Sequence, residues 1–185
     1  MKVTGRRTVW QGSFIRALVL RYEDSSGTPR DWEAVERLNC SGIVAVVPVT
    51  SDGELLLVRQ FRPVLDNFVI EFPAGLSDKG ESLIEAARRE LIEETGYTTE
   101  RLSYLTEGPI SSGISTEILT VFLAKDTRQA DQDVKRRYPP EEIEQITLIR
   151  SPFSRVYEDL QIAREKGDYV DIKIFGLLEL ARMRL

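Results

Sequence analysis

Three glutamates at helical spacing are the residues of this sequence best suited to chemistry. Glu90, Glu93 and Glu94 stand at positions i, i+3 and i+4, so on a helix their carboxylates share one face. Like charges at this spacing repel by about 0.2–0.5 kcal/mol per pair. Bound Mg²⁺ or Mn²⁺ would turn that repulsion into coordination, because these hard cations favour carboxylate oxygens. Arg89 can pair with Glu93 one turn on. The alternative is an ordinary solvated acidic helix face.

Composition removes several other kinds of catalytic site. The 185 residues include no histidine, which excludes Ser-His-Asp and Cys-His catalysis and the usual catalytic zinc sites. Hydrolysis would therefore depend on carboxylates and on a metal that prefers oxygen ligands. The net charge of −5 argues against broad electrostatic binding to nucleic acid, so we expect no nucleic-acid partner.

The sequence also predicts a cytoplasmic protein without membrane association. No apolar run approaches the roughly 18 residues that cross a bilayer, and the first residues lack the apolar stretch of a signal peptide. Cys40 is the single cysteine and cannot form an internal disulfide, which fits a reducing compartment. Because no histidine can activate it, Cys40 is interpreted as a small apolar residue and not as a nucleophile.

The elements that must position the glutamates alternate in type along the chain. Strands are predicted over residues 14–22, 31–38, 42–49, 54–61, 68–72, 102–105, 117–124 and 144–149. The pair 42–49 and 54–61 is predicted to form a hairpin. The polar stretch 125–138 is expected to be a mobile excursion, and two amphipathic helices, at 153–166 and 172–183, follow later in the chain. This order is typical of an α+β fold or a layered α/β/α domain.

A helix over residues 82–95 carries the three glutamates. Ser82 followed by Glu85 is a capping-box pattern, and Gly96 stands where a helix commonly ends. The apolar periodicity predicts that one face is buried, with three members: Ile84, Ala87 and Leu91.

The segment 75–97 resembles the Nudix box at every fixed position. Gly75 is followed after five residues by Glu81, and after seven more by the run 89–97, which contains the three glutamates. Seven fixed identities arise by chance on the order of 10⁻⁸ times per starting position. Beyond the box, the motifs at 59–63 and 70–75 resemble the ADP-ribose pyrophosphatase branch of the Nudix hydrolase family, and so, less specifically, does 31–37.

This resemblance implies a fold, a reaction and a metal site. The implied fold is a Nudix α/β/α sandwich over residues 41–185, with a small N-terminal β segment over 1–40 that serves dimerisation and substrate stacking. The implied reaction is metal-dependent hydrolysis of the pyrophosphate bond of ADP-ribose to AMP and ribose 5-phosphate. The implied metal ligands are Glu90, Glu94, the more variable Glu93 and the backbone carbonyl of Ala74. Arg89 would orient these groups, and Glu81 would support the box loop or a further metal.

The resemblance places the general base in a late loop just before a strand. Glu144 is the first candidate, since the alternation of the following strand fits it best, and Glu142 is the second. Glu141 lies in the same region. At least two of these three are expected to be ordinary exposed loop glutamates.

The resemblance also implies substrate contacts. Arg37 and Arg62 match positions that contact phosphates or ribose, and Glu71 is placed with them in the substrate site. Phe14 and Trp32 match aromatics that sandwich adenine, and in the family these can come from a partner subunit, which implies a homodimer. The alternatives are surface salt bridges for the two arginines and core packing for the two aromatics.

One departure from the branch leaves the substrate open. A proline is common about fifteen residues past the box, and Ser112 stands there in this chain. The alternatives to ADP-ribose hydrolysis are hydrolysis of another nucleoside-diphosphate sugar, or a non-catalytic domain that senses ADP-ribose. The choice between Mg²⁺ and Mn²⁺ stays open as well.

Overall fold

The computed structural model describes residues 1–77, 80–139 and 145–185. Its first part is a three-stranded antiparallel sheet in the order β1-β2-β3, formed by β1 (Lys2–Gln11), β2 (Ile15–Glu23) and β3 (Pro29–Arg37). Leu18 and Ala34 are its buried apolar side chains, and most of β1 is exposed. This small sheet is attached to the rest of the chain through β3. The Val35 N–H donates to the Ile114 carbonyl at 2.7 Å.

The larger sheet is mixed and lies between two helical layers. Its strands are β4 (Gly42–Thr50), β5 (Glu54–Arg62), β6 (Asn67–Glu71), β7 (Ala74–Ser77), β8 (Tyr97–Thr98), β9 (Arg101–Pro109), β10 (Ile118–Gln129), β11 (Ile146–Pro152) and β12 (Tyr169–Val170). The order is β12-β6-β5-β4-β10-β8, with β11 on β5, β7 on β4 and β9 on β10. Four helices accompany these strands in the described part of the chain: α1 (Leu83–Thr95), α2 (Gln132–Arg137), α3 (Val156–Glu165) and α4 (Lys173–Arg182).

Strand β4 explains why both faces of this sheet are covered. Val44 and Val46 pack with the buried residues of α1, whereas Val47 and Val49 belong to the second core, which contains α3 and α4. A strand buried on both faces reads as a continuous apolar run, as 42–49 does. The α+β class and the α/β/α layering expected from the sequence are therefore confirmed.

The turn predicted between β4 and β5 is present, but the extended pairing of a hairpin is not. The two strands pair only at Val49 and Leu55. Strand β4 instead pairs in parallel with β10 and antiparallel with β7, while β5 pairs with β6 and β11. Local turn signals predict that two strands reverse direction, but the long-range partners decide whether they stay paired.

The caps of α1 are confirmed, but one member of its predicted buried face is not. The Ser82 and Glu85 capping box is complete in both directions, and Gly96 ends the helix in the left-handed region with φ 72°. Ile84 is 43% exposed, so its predicted burial is wrong. The buried ridge instead starts at the partly buried Leu83 and continues one turn on at Ala87, because the i, i+4 row from Leu83 faces β4.

The stretch 125–138, which we expected to be a mobile excursion, contains regular structure. Strand β10 continues to Gln129, where it pairs with the short β8, and α2 follows. Thr127 and Ala130 are buried at this edge, so the first part of the segment belongs to the packed domain, whereas α2 has no buried residue. Among the described residues, no helix is long and apolar enough to cross a membrane.

Candidate active site

The site begins where β7 passes under α1. A side chain on Gly75 would have no room, because an ideal Cβ there would lie 1.9 Å from Glu90 Oε1 and 2.1 Å from its Cδ. The Glu90 carboxylate therefore occupies the space above this glycine, and Glu90 is buried although it is charged. Within the 75–97 motif, the absence of a side chain at Gly75 is therefore what makes room for the carboxylate of Glu90.

Arg89 lies at the centre of the acidic face and joins it to the preceding strand. Its Nη1 donates to Glu90 Oε1 at 2.8 Å and to Glu93 Oε2 at 2.9 Å. Its Nε and Nη2 donate to the two oxygens of Glu81 at 3.1 and 3.0 Å. Nη2 also donates to the Leu76 carbonyl at 2.7 Å. The expected Arg89–Glu93 contact is present, as one bond of a larger network.

This network keeps Arg89 charged. Burial by itself lowers the pKa of the guanidinium, but the hydrogen bonds and charges of Glu81, Glu90 and Glu93 outweigh burial and raise the pKa above its ordinary value. Arg89 is therefore a permanent cation that donates four hydrogen bonds to carboxylates and a fifth to the Leu76 carbonyl.

Glu94 faces β7 as well. The backbone N–H of Ala74 donates to Glu94 Oε2 at 3.0 Å. Within the described residues, no three acidic or cysteine side chains converge closely enough to enclose an ion as they stand. Glu90 and Glu93 accept hydrogen bonds from Arg89, and Glu94 accepts one from Ala74. The donor set still fits a hard divalent cation, because Glu90 and Glu94 lie against the start of β7, Glu93 shares Arg89 with Glu90, and all three offer oxygen ligands.

A cavity of about 270 Å³ opens beside Ala74 and contains three more of the predicted substrate residues. Arg37 and Arg62 reach it from β3 and β5, and Glu71 from β6. Both arginines are paired: Arg62 Nε donates to Glu71 Oε2 at 2.7 Å, and Arg37 Nε donates to Glu117 Oε1 at 2.7 Å. The structure therefore places these arginines in a cavity and in ion pairs at the same time.

The two predicted stacking aromatics are exposed and do not pack a core. Phe14 is 77% exposed and Trp32 is 51% exposed. The Trp32 Nε1–H donates to the Gly113 carbonyl at 2.9 Å, which anchors the polar edge of the ring. Neither residue lines the cavity that holds Arg37 and Arg62. The interpretation of these aromatics as core residues of the N-terminal unit is wrong.

The candidate general bases, Glu141, Glu142 and Glu144, lie outside the described residues. Three charged residues of the cavity, in turn, were not singled out from the sequence: Glu117, Asp171 and Lys173. No local motif marks them, since each reaches the cavity only through the packing of β10 and α4 against the sheet.

Comparison with known proteins agrees with this geometry. The NUDIX domain family matches residues 41–166. The chain is 36% identical to an ADP-ribose pyrophosphatase of Bacillus subtilis over 138 residues, which are 71% of this chain and 73% of that protein. It is 31% identical to an ADP-sugar pyrophosphatase of Mus musculus over 186 residues, 94% and 84% of the two chains. It is 35% identical to a GDP-mannose pyrophosphatase of Yersinia enterocolitica over 138 residues, which are 71% of this chain and 68% of that protein. A crystal structure of an ADP compounds hydrolase shares the fold, with a TM-score of 0.76 at 23% identity, over 100% of this chain and 93% of that one.

Proposed function

Because the chain belongs to the NUDIX family, we propose that it hydrolyses the pyrophosphate bond of ADP-ribose, with AMP and ribose 5-phosphate as products. Two observations support this substrate. The relatives named above from Bacillus subtilis and Mus musculus act on ADP-ribose and on ADP-sugars by name. In addition, the cavity of this chain presents two arginines, which suit a diphosphate.

The chemistry depends on a divalent metal, as it generally does in Nudix hydrolases. We propose Mg²⁺, with Mn²⁺ as a substitute, held by Glu90, Glu94, Glu93 and the carbonyl of Ala74. Such an ion neutralises phosphate charge and lowers the pKa of a bound water. Arg89 would hold two of these glutamates in place, since both accept hydrogen bonds from it.

The observation that carries the proposal is the double role of Ala74. Its amide donates to Glu94 on the acidic face, and the same residue lines the cavity that contains Arg37 and Arg62. A diphosphate bound to these arginines would therefore lie directly beside the carboxylates that hold the metal. Glu144, or else Glu142, is proposed as the base that takes the proton of the attacking water.

We further propose a homodimer, in which Phe14 and Trp32 stack on adenine across the subunit boundary. The N-terminal sheet is too small to bury a core alone. Its first strands expose large apolar side chains, among them Val3, Val9 and Trp10. A second copy of the chain would cover this surface and bring the aromatics to a nucleotide. A cytoplasmic location is proposed on the evidence of the single, free cysteine.

A substrate panel with Mg²⁺, assayed by product identity, tests the function. Wild type is compared with Glu94→Gln, which removes one metal-site charge, and with Glu100→Gln as the matched control on an exposed turn. We expect ADP-ribose to give AMP and ribose 5-phosphate far faster than other diphosphates. The Glu94 variant should lose at least about a hundredfold in kcat/KM, and the Glu100 variant should be unchanged. Activity that survives Glu94→Gln would refute the metal assignment.

Another nucleoside-diphosphate sugar is the second candidate. It is favoured by Ser112, which stands at the proline position of the branch, and by the similarity to the GDP-mannose pyrophosphatase of Yersinia enterocolitica. Preferential hydrolysis of GDP-mannose in the same panel would establish it. Binding of ADP-ribose without cleavage of any diphosphate would instead support a sensing domain.

A further inference from the structure

A second and mostly apolar cavity, the α4 cleft, lies between α4 and the end of β9 and has a volume of about 280 Å³. Helix α4 lines it with residues at i, i+3, i+4 and i+7, which share one helix face: Lys173, Gly176, Leu177 and Leu180. The facing wall consists of residues 106–110 and of strand β10. The cleft is separate from the cavity beside Ala74 but has part of its wall in common with it, including Leu177.

Two glycines line the α4 cleft, and the described part of the fold requires neither of them. Gly176 lies inside α4 and Gly108 inside β9, and glycine weakens both kinds of element because it loses the most backbone freedom on folding. Neither has a positive φ, so the backbone conformation does not call for glycine. An ideal Cβ on either residue would meet no described atom within 4 Å beyond its chain neighbours and the backbone of α4 itself. The missing side chains therefore widen the cleft, and such a glycine in a strand often marks the close approach of a ligand or of a second backbone.

The size of the cleft favours a small ligand over a protein partner. Two of its large apolar side chains, those of Ile110 and Leu180, are each 40% exposed. Three more are buried: Leu119, Val121 and Leu177. A stable protein interface needs about 800 Å² from each partner, which is far more than two partly exposed side chains offer. A volume of about 280 Å³ lies instead at the lower end of the range for small-ligand pockets.

The length and the charge of the cleft indicate an uncharged and elongated ligand. The α4 face from Lys173 to Leu180 runs for about 10 Å, which is the extended length of an alkyl chain of about eight carbons. The charged residues among the described lining are Lys173 and Glu107, whose charges cancel, and Lys173 is also paired with Asp171 at 2.5 Å. We infer that the α4 cleft binds an uncharged, unbranched alkyl chain of about eight carbons. This site is distinct from the proposed reaction, because the described lining of the cleft includes none of the proposed metal ligands.

Gly176 is the residue at which the cleft can be altered without damage to the fold. Gly176→Ala should raise Tm by about 2–4 °C, because alanine is the better helix former and its methyl group enters open space. A lower Tm would show that the fold needs this glycine and would overturn the inference. Gly176→Leu places a larger apolar side chain in the cleft. Gln161→Leu, on the exposed face of α3, adds the same side chain away from the cleft and is the matched control.

Titration with 1-octanol, followed by ¹H–¹⁵N correlation spectra of the labelled protein, measures binding at this site. We expect the amide resonances of Gly108 and Gly176 to shift until saturation, with a Kd between about 0.1 and 1 mM for a ligand of about nine heavy atoms. Gly176→Leu should weaken binding at least about tenfold, because the leucine side chain takes the place of the ligand. Gln161→Leu should bind 1-octanol as the wild type does. Thermal unfolding first shows that each variant is folded.

Octanoate tests the head group separately from the chain. Because the charges that line the cleft cancel, octanoate should bind no more tightly than 1-octanol, and tenfold tighter binding would overturn the assignment of an uncharged ligand. The absence of saturable shifts at Gly108 and Gly176 in the wild type would overturn the site itself. An equal affinity of folded Gly176→Leu and wild type would do the same. These titrations contain neither metal nor diphosphate, so their outcome is independent of the proposed reaction.

Discussion

Gly75→Ala is the most direct probe of the acidic face, because it adds one methyl group where the Glu90 carboxylate lies. The new carbon would stand 1.9 Å from Glu90 Oε1 and 2.5 Å from Oε2. An ordinary contact needs about 3.5 Å, so the carboxylate or the strand must move by about 1.5 Å. Because Gly75 lies within β7, which is paired with β4, the side chain of Glu90 is the group expected to move.

That movement should affect function more than stability. Overpacking a well-packed site costs about 1–3 kcal/mol, which for a domain of this size lowers Tm by about 2–12 °C. In the proposed metal site, displacing the Glu90 carboxylate by more than an ångström would misplace the ion and the diphosphate, and such errors cost about a hundredfold in rate. The displaced carboxylate would also lose its 2.8 Å bond from Arg89.

The assay compares kcat/KM at saturating Mg²⁺, the apparent metal affinity and the Tm of Gly75→Ala with those of Gly108→Ala. Gly108 is a strand glycine as well, but a Cβ there would meet nothing within 4 Å. We expect a loss of about a hundredfold in kcat/KM with weakened metal binding in the first variant, and wild-type behaviour in the second. Normal activity and metal affinity in Gly75→Ala would refute the steric coupling of Gly75 to Glu90.

Two further predictions concern acid stability and assembly. The hydrogen bonds from Arg59 lower the pKa of Asp168 against the opposing effect of burial. This ion pair therefore stabilises the fold fully at pH values above the unfolded-state pKa of about 3.9. The stabilisation is lost as the pH falls through the lower pKa of the folded state. Asp168→Asn should lower the free energy of unfolding, measured with denaturant, by about 1 kcal/mol near pH 7 and by progressively less below about pH 4. An equal loss at the two pH values would contradict the pKa shift of Asp168. If the exposed N-terminal sheet is the dimer surface, Trp10→Glu should halve the mass measured by light scattering and raise KM. A variant with the mass of the wild type, or a wild type that is already monomeric, would rule out that dimer.

Much of the acidic face could be predicted from the sequence because its contacts are local. The capping box of α1, the glycine that ends it and the shared face of the glutamates all follow from helical spacing over fewer than twenty residues. The pairing of Arg89 with Glu93 is a contact of the same kind. The layered fold was also predictable, since the run 42–49 requires cover on both faces.

Predictions failed where a local signal competed with distant partners. Residues 42–49 and 54–61 have the turn of a hairpin, but β10 and β11 are the partners that these strands keep. The polarity of 125–138 indicated a mobile excursion, although its first residues complete β10 at an edge supplied by β8. Side-chain patterns report solvent exposure, whereas strand pairing satisfies backbone groups whatever the side chains are.

The sequence by itself determined the composition of the acidic face, because its carboxylates, arginine and glycine stand at fixed spacings along one helix and the strand before it. Only the tertiary structure decided what lies opposite that face. Arg37 and Glu117 are 80 residues apart in the chain and meet at 2.7 Å, and Lys173 joins them in the same cavity from α4. No periodicity links such residues, since their proximity follows from how two sheets and a helix pack together.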